Sequence, residues 1–189
     1  DSVTVAGGSS FQLETIMDFR PDVSAILNIT PDHLNRHGTM ENYIRIKECI
    51  TLNQTEDDSV VLNYDDPVLR EFGQDPELKP KVTWFSSREK LADGFCMSGD
   101  NIVYCQKGRE TILVNVRDMK LLGRHNYENV MAAAAIGFLM GVALADIGRV
   151  AENFNPVEHR IEFVRERTGV RYYNDSKGTN PDAAIQALR

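Results

Sequence analysis

Residues 23–48, VSAILNITPDHLNRHGTMENYIRIKE, carry two different periodicities in one stretch. The opening run, VSAILNI, is continuously apolar, the texture of a central parallel β-strand covered on both faces. A polar turn with two histidines follows and closes at Gly38. Thr39 is then a natural N-cap, and Glu41 falls in the first helical turn, where the helix dipole favours a carboxylate. Met40, Tyr43, Ile46 and Ile50 recur at spacings of three and four, which marks one buried helix face. Glu41, Arg45 and Glu48 share the opposite, solvated face. Lys47 breaks the pattern. It lies four residues after Tyr43 and three before Ile50, so it points with the apolar group. Spacing leaves two accounts open: the stem packs while the ammonium snorkels to water, or the amine is neutral or chemically modified, as burial encourages by lowering a lysine pKa.

The same alternation continues downstream. SVVLN (59–63) reads as a strand, a short helix opens near Asp66, and KVTWFS (81–86) is another strand. This β-α-β-α-β order implies a parallel sheet with helices packed on it. Upstream, SSFQLE (9–14) alternates apolar and polar residues and is read as a half-buried strand ending at Glu14. From Gly94 to Met119, short strands joined by SGDN and QKGR turns predict a small antiparallel sheet. A long helix is expected over 126–140 and a shorter one over 144–154. Pro156 marks a boundary, so residues 1–155 form one unit. HRIEFV, GVRYYND and a helix opening at Pro181 begin a second unit over 156–189. The fold class is α/β: a mostly parallel sheet flanked by helices, with a small antiparallel sheet.

Composition narrows the function. The 189 residues are 42% hydrophobic and 26% charged, with a net charge of -7, which disfavours a general nucleic-acid binder. Cys49, Cys96 and Cys105 show no CxxC spacing and read as reduced thiols of a cytoplasmic protein. The longest uncharged run, VMAAAAIGFLMGVALA (130–145), is short for a membrane span and rich in Ala and Gly, as suits a buried helix. No membrane insertion is expected. The first residue is not Met and the last falls inside an apparent helix, so the chain is expected to be a fragment of a longer protein. Loss of neighbouring structure predicts poor solubility or self-association.

Three groups of residues carry chemistry. Glu14 ends one predicted strand and His33 follows another by a few residues, the region where open α/β sheets bind ligands. A carboxylate and an imidazole together suit a divalent cation, manganese more readily than magnesium. In GRHNYENVMAAAA, Asn126 and Asn129 lie three apart at a helix start. They either cap that helix or match the donor-acceptor edge of adenine. In GVRYYNDSKGTNPDAAIQAL, Asp175, Lys177 and Thr179 gather between a strand and a helix N-terminus, a setting suited to anions. GxxxxGK[ST] does not occur in the chain.

SSFQLE, NITPDHLNRHGTMENYIRIKE, GRHNYENVMAAAA, VEHRIEFV and YYNDSKGTNPDAAI, taken in this order, resemble the Mur ligase family of peptidoglycan synthesis. NITPDHL and YYNDSKGTN resemble the members that add D-glutamate to UDP-N-acetylmuramoyl-L-alanine. The resemblance implies a central ATP-binding domain without its P-loop portion over 1–155, and the start of a Rossmann-like C-terminal domain over 156–189. It implies a cytoplasmic, monomeric parent enzyme in which ATP phosphorylates the substrate carboxylate and the amine of D-glutamate attacks the acyl phosphate. Lys47 matches a lysine that takes up carbon dioxide as a carbamate, and Glu14, His33 and Lys47 match a Mg2+ (or Mn2+) site. His33, Lys47 and Lys177 are the catalytic candidates. Asn126 and Asn129 match adenine-binding residues, Arg160 a phosphate contact and Asp175 a ribose contact. Lys177 and Thr179 match positions around D-glutamate and the acyl phosphate. Asn35 stands where the family commonly has Asp. Without a P-loop to neutralise the transferring phosphoryl group, the 189 residues alone are expected to be inactive. The competing expectations are a non-catalytic nucleotide-binding module of the same fold and a relative such as folylpolyglutamate synthase.

Overall fold

The computed structural model describes residues 2–178 and 184–185. Six strands form one sheet in the order β1 to β6: β1 Val23–Ile26, β2 Ser59–Asn63, β3 Lys81–Ser86, β4 Gly94–Ser98, β5 Asn101–Gln106 and β6 Arg109–Asn115. The first four are parallel, and β4, β5 and β6 form an antiparallel meander. The expected antiparallel strands therefore extend the parallel sheet through the pairing of β4 on β3. VSAILNI is not central: β1 pairs only with β2 among the described residues.

Side chains alternate between two helical layers. Val60 and Leu62 of β2 point to a core shared with Tyr43 on helix α3 (Met40–Glu48) and Leu69 on α4 (Pro67–Gly73). Val61 points the other way, to Met131, Ala132, Ala134 and Ala135 of α5 (Arg124–Leu139), and Ala151 of α6 (Leu144–Asn153) joins that core. Each fully buried Leu or Val stabilises the fold by about 1.5–3 kcal/mol. The small alanines let α5 lie close to the sheet, and the turn around Gly141 (φ 84°) separates α5 from α6.

Helix α3 starts as expected. Thr39 is extended (φ -128°), and its hydroxyl accepts from the Asn42 N–H at 3.2 Å. Glu48 departs from the expected solvated face: it is half-buried, and burial followed by Asp75 and Glu71 pushes its carboxyl upward.

SSFQLE is not a strand. Ser10–Leu13 form the one-turn helix α1, because the Gln12 side chain accepts from the Ser9 N–H at 2.8 Å and closes a capping box. Local capping here overrides the apolar alternation. Glu14 is thus the C-cap of a helical turn and lies at no strand end. A second short helix, α2, spans Leu34–His37.

Beyond Pro156, β7 (Glu162–Arg167) and β8 (Val170–Asn174) pair as an antiparallel hairpin. The helix expected to open at Pro181 lies outside the described residues, as does Thr179. No helix among the described residues is long and apolar enough to cross a membrane.

Candidate functional site

Lys47 stands where the carboxyl end of β1 meets α3. Its Nζ donates to the Asn28 carbonyl at 3.2 Å and lies 5.3 Å from the Tyr43 ring centroid. Burial draws its pKa below the ordinary lysine range, against a partial opposing pull from Asp32 and Asp66. A cavity of about 330 Å³ opens beside it, lined by Gly8, Ser10, Leu13, Ile26, Asn28 and Ile50 among others. Leu13, Ala25, Ile26, Leu27 and Ile50 make much of that lining apolar, in keeping with the lowered pKa. Among the described residues no hydrogen bond to a carboxylate fixes the ammonium.

His33 precedes α2 in the left-handed region (φ 52°), a backbone state that costs a non-glycine residue about 1 kcal/mol or more. The Asp32 carboxylate compensates by accepting the His33 N–H at 2.8 Å. The imidazole is about half exposed, 3.6 Å from Asp32 and tilted against the Phe11 ring at 4.9 Å.

Glu14 faces elsewhere. Its Oε2 accepts from Arg36 at 2.9 Å, and its Oε1 lies 3.0 Å from His37 Nδ1. The Arg36 guanidinium, ahead of His37, holds the Glu14 carboxyl below its usual range. Its cavity is separate from that of Lys47 and is lined by Asn42, Arg45, Ile46 and Cys49. No group of three His, Cys, Asp or Glu side chains converges among the described residues. A divalent cation shared by Glu14, His33 and Lys47 therefore does not fit this arrangement.

The second cluster surrounds the start of α5. Asn126 is buried, and its amide donates to the Leu122 carbonyl at 2.7 Å, which ties the first turn of α5 to the chain before its N-cap residue Gly123. Asn129, one turn on, is half-buried. Asn126 and Arg160 line one cavity of about 90 Å³ with Leu122, Ile161, Phe163 and Tyr173. Asp175 closes the same region by accepting the Ile161 N–H at 3.1 Å. The structure thus brings Asn126, Arg160 and Asp175 together. The Lys177 side chain is exposed, while its N–H donates to the His159 carbonyl at 3.0 Å.

Two features escaped the sequence reading. His125 shares this cluster: burial lowers its pKa, with Glu128, Arg160 and Asp175 the charges that act on it. It stands beside Asn126 in GRHNYEN, where neither spacing nor charge sets it apart. Glu128 also accepts from the Ser87 hydroxyl at 2.6 Å, and Asp65 accepts from Ser86 and Ser87, which ties α5 to the carboxyl ends of β2 and β3. Nothing in the sequence spacing links residues so far apart.

The three layers, a mostly parallel sheet between helices with polar groups gathered at the carboxyl ends of its strands, define an α/β domain. The Mur ligase middle domain profile matches residues 5–137, and the chain belongs to the Mur ligase family. Its relatives include the UDP-N-acetylmuramoylalanine--D-glutamate ligase of Lachnoclostridium phytofermentans, 52% identical over 189 residues. The ligase of the same name from Lachnospira eligens is 53% identical over 188 residues. Each alignment covers 100% of this chain and 41% of the relative, so the chain spans about two fifths of the length of these proteins. Among solved structures, MurF from Acinetobacter baumannii superposes with a TM-score of 0.67 at 20% identity, covering 88% of this chain and 36% of that one. UDP-N-acetylmuramate-alanine ligase MurC from Thermotoga maritima gives 0.65 at 23% identity, covering 95% and 39%. These two likenesses show the shared fold.

Proposed function

We propose that the protein carrying this chain is an ATP-dependent ligase that adds D-glutamate to UDP-N-acetylmuramoyl-L-alanine in peptidoglycan synthesis. The observation that carries this reading is the 52% identity along the entire chain to a ligase with that name. ATP, when bound, would supply the phosphoryl group that activates the substrate carboxylate as an acyl phosphate; the amine of D-glutamate then forms the amide as the C–O bond to phosphate breaks and inorganic phosphate leaves.

The residues of this chain divide that work. Asn129 reads the adenine edge through its amide, and Asn126 sets the turn that presents it. Arg160 meets phosphate charge, and Asp175 accepts from ribose hydroxyls. Lys177 and Thr179 serve the D-glutamate and acyl-phosphate side. Lys47, desolvated beside an open cavity, attacks carbon dioxide as the free amine. The ammonium first gives up one proton; the amine lone pair then forms a C–N bond as one C=O π bond of carbon dioxide opens, and a second proton leaves the nitrogen, so that a cation becomes an anion. This carbamate and His33 would hold Mg2+ or Mn2+, which would offset the charge of the transferring phosphoryl group. We further assign the parent enzyme to the cytoplasm as a monomer that inserts in no membrane and binds no nucleic acid.

Phosphate release by the full-length protein tests the assignment. The reading predicts release that requires ATP, UDP-N-acetylmuramoyl-L-alanine and D-glutamate together. Equal turnover with another amino acid, or turnover on a folate substrate in their place, would overturn it.

A further inference from the structure

Both oxygens of Glu14 have neighbours on α2, Arg36 by hydrogen bond and His37 by proximity alone, since the buried His37 Nδ1 makes no hydrogen bond among the described residues. Ser10 and Glu14 are four residues apart, so both reach the same side of the α1 turn. Between them sits the His37 ring, whose side chain is fully buried: Nε2 is 3.0 Å from Ser10 Oγ, and Nδ1 is 3.0 Å from Glu14 Oε1. Arg36, the neighbour of His37 on α2, donates to the other Glu14 oxygen at 2.9 Å and passes over the Phe11 ring at 5.8 Å. Phe11 stacks on His37 at 5.5 Å and meets His33 at 4.9 Å, while Tyr43 meets His37 at 5.3 Å. Both carboxylate oxygens of Glu14 thus face α2, and a cation arriving there would have to displace a guanidinium.

We infer that Glu14 is a positioning residue that clamps α2 onto α1, and so fixes the His33 turn against Phe11, and that it is not a ligand of a divalent cation. Arg36 and His37 anchor the far end of the short segment that opens on the left-handed His33. The inference rests on the ligase reading only in giving His33 its role. Its test uses no turnover, so the two fail separately.

The experiment compares wild type, E14Q, R36M and the E14Q/R36M double variant of the 189-residue chain by thermal denaturation and histidine-ring NMR, with and without Mn2+. The clamp predicts that E14Q and R36M each lower Tm and that the double variant falls no further than the worse single. It predicts that both singles shift the His33 ring resonances. It also predicts that the change in Tm on adding Mn2+, whatever its size, is equal in wild type and E14Q. An unchanged Tm with unmoved His33 resonances in E14Q, or a Mn2+-induced rise in wild type that E14Q abolishes, would overturn the inference.

Discussion

The Lys47 ammonium donates to the Asn28 carbonyl across 3.2 Å, joining α3 to the loop that leaves β1. A main-chain carbonyl is a weaker partner for an ammonium than a carboxylate, so this bond does little to oppose the loss of hydration. The folded protein therefore moves Lys47 toward its neutral form relative to an exposed lysine. A base whose pKa is lowered by folding destabilises the native state while it must carry charge, and that penalty fades as pH rises through the lowered value. K47M is accordingly expected to match or exceed wild type in Tm at neutral pH, with the difference shrinking at alkaline pH. A clear loss of stability in K47M at neutral pH would contradict this.

Asp58 makes the opposite prediction. Hydrogen bonds from Arg20 first, and from the Thr55 N–H next, bring its carboxyl down to about 2 from 3.8. The Arg20 contact at 2.8 Å links the loop before β1 to the turn before β2. A carboxyl lowered by folding contributes stability that is present above its unfolded pKa and is lost as pH falls through the folded value. The Tm gap between wild type and D58N should be constant above about pH 5 and close between roughly pH 4 and 2. Denaturation across that range checks it, and a gap independent of pH would refute it.

Asn126 and Asn129 should separate. Removing the Asn126 bond to the Leu122 carbonyl in N126A costs about 1 kcal/mol and weakens ATP binding as well. Asn129 makes no side-chain hydrogen bond among the described residues, so N129A should change stability by less than about 0.5 kcal/mol while weakening ATP binding of the full-length protein. Urea denaturation and nucleotide titration of both variants measure the two effects. Equal stability losses, or unchanged ATP affinity in N129A, would count against these roles.

Gly148 reports on packing. A methyl group there would fall on the Leu113 carbonyl, where α6 crosses β6. G148A gains about 1 kcal/mol of helix propensity, yet overpacking against rigid backbone costs about 1–3 kcal/mol. A net fall in stability is expected by chemical denaturation, and a gain would show that α6 sits further from the sheet.

The parallel sheet was legible in the sequence because VSAILNI, SVVLN and KVTWFS are apolar runs separated by helices with clear caps at Thr39 and Asp66. SSFQLE misled because a six-residue alternation is also what a capped helical turn with one buried Leu produces. Periodicity cannot weigh the bond between the Ser9 N–H and the Gln12 side chain. Position in the sheet was likewise hidden: an apolar strand reads alike whether it has one neighbour or two. Of the candidate site, Lys47 announced itself by its place on an apolar face, and Asn126, Arg160 and Asp175 by motif. The Glu14 contacts with Arg36 and His37, and the Ser87 to Glu128 bond, join residues more than twenty apart in the chain. Such pairings depend on tertiary packing.

The most direct measurement is solution NMR of the chain in isotopically labelled bicarbonate, comparing wild type with K47M from neutral to alkaline pH. The account predicts one carbamate carbonyl resonance that grows as the Lys47 amine loses its proton, begins at a lower pH than the signals of exposed lysines, and vanishes in K47M. A spectrum without that resonance, or one unchanged by the substitution, would contradict the claim that this fold prepares Lys47 to take up carbon dioxide.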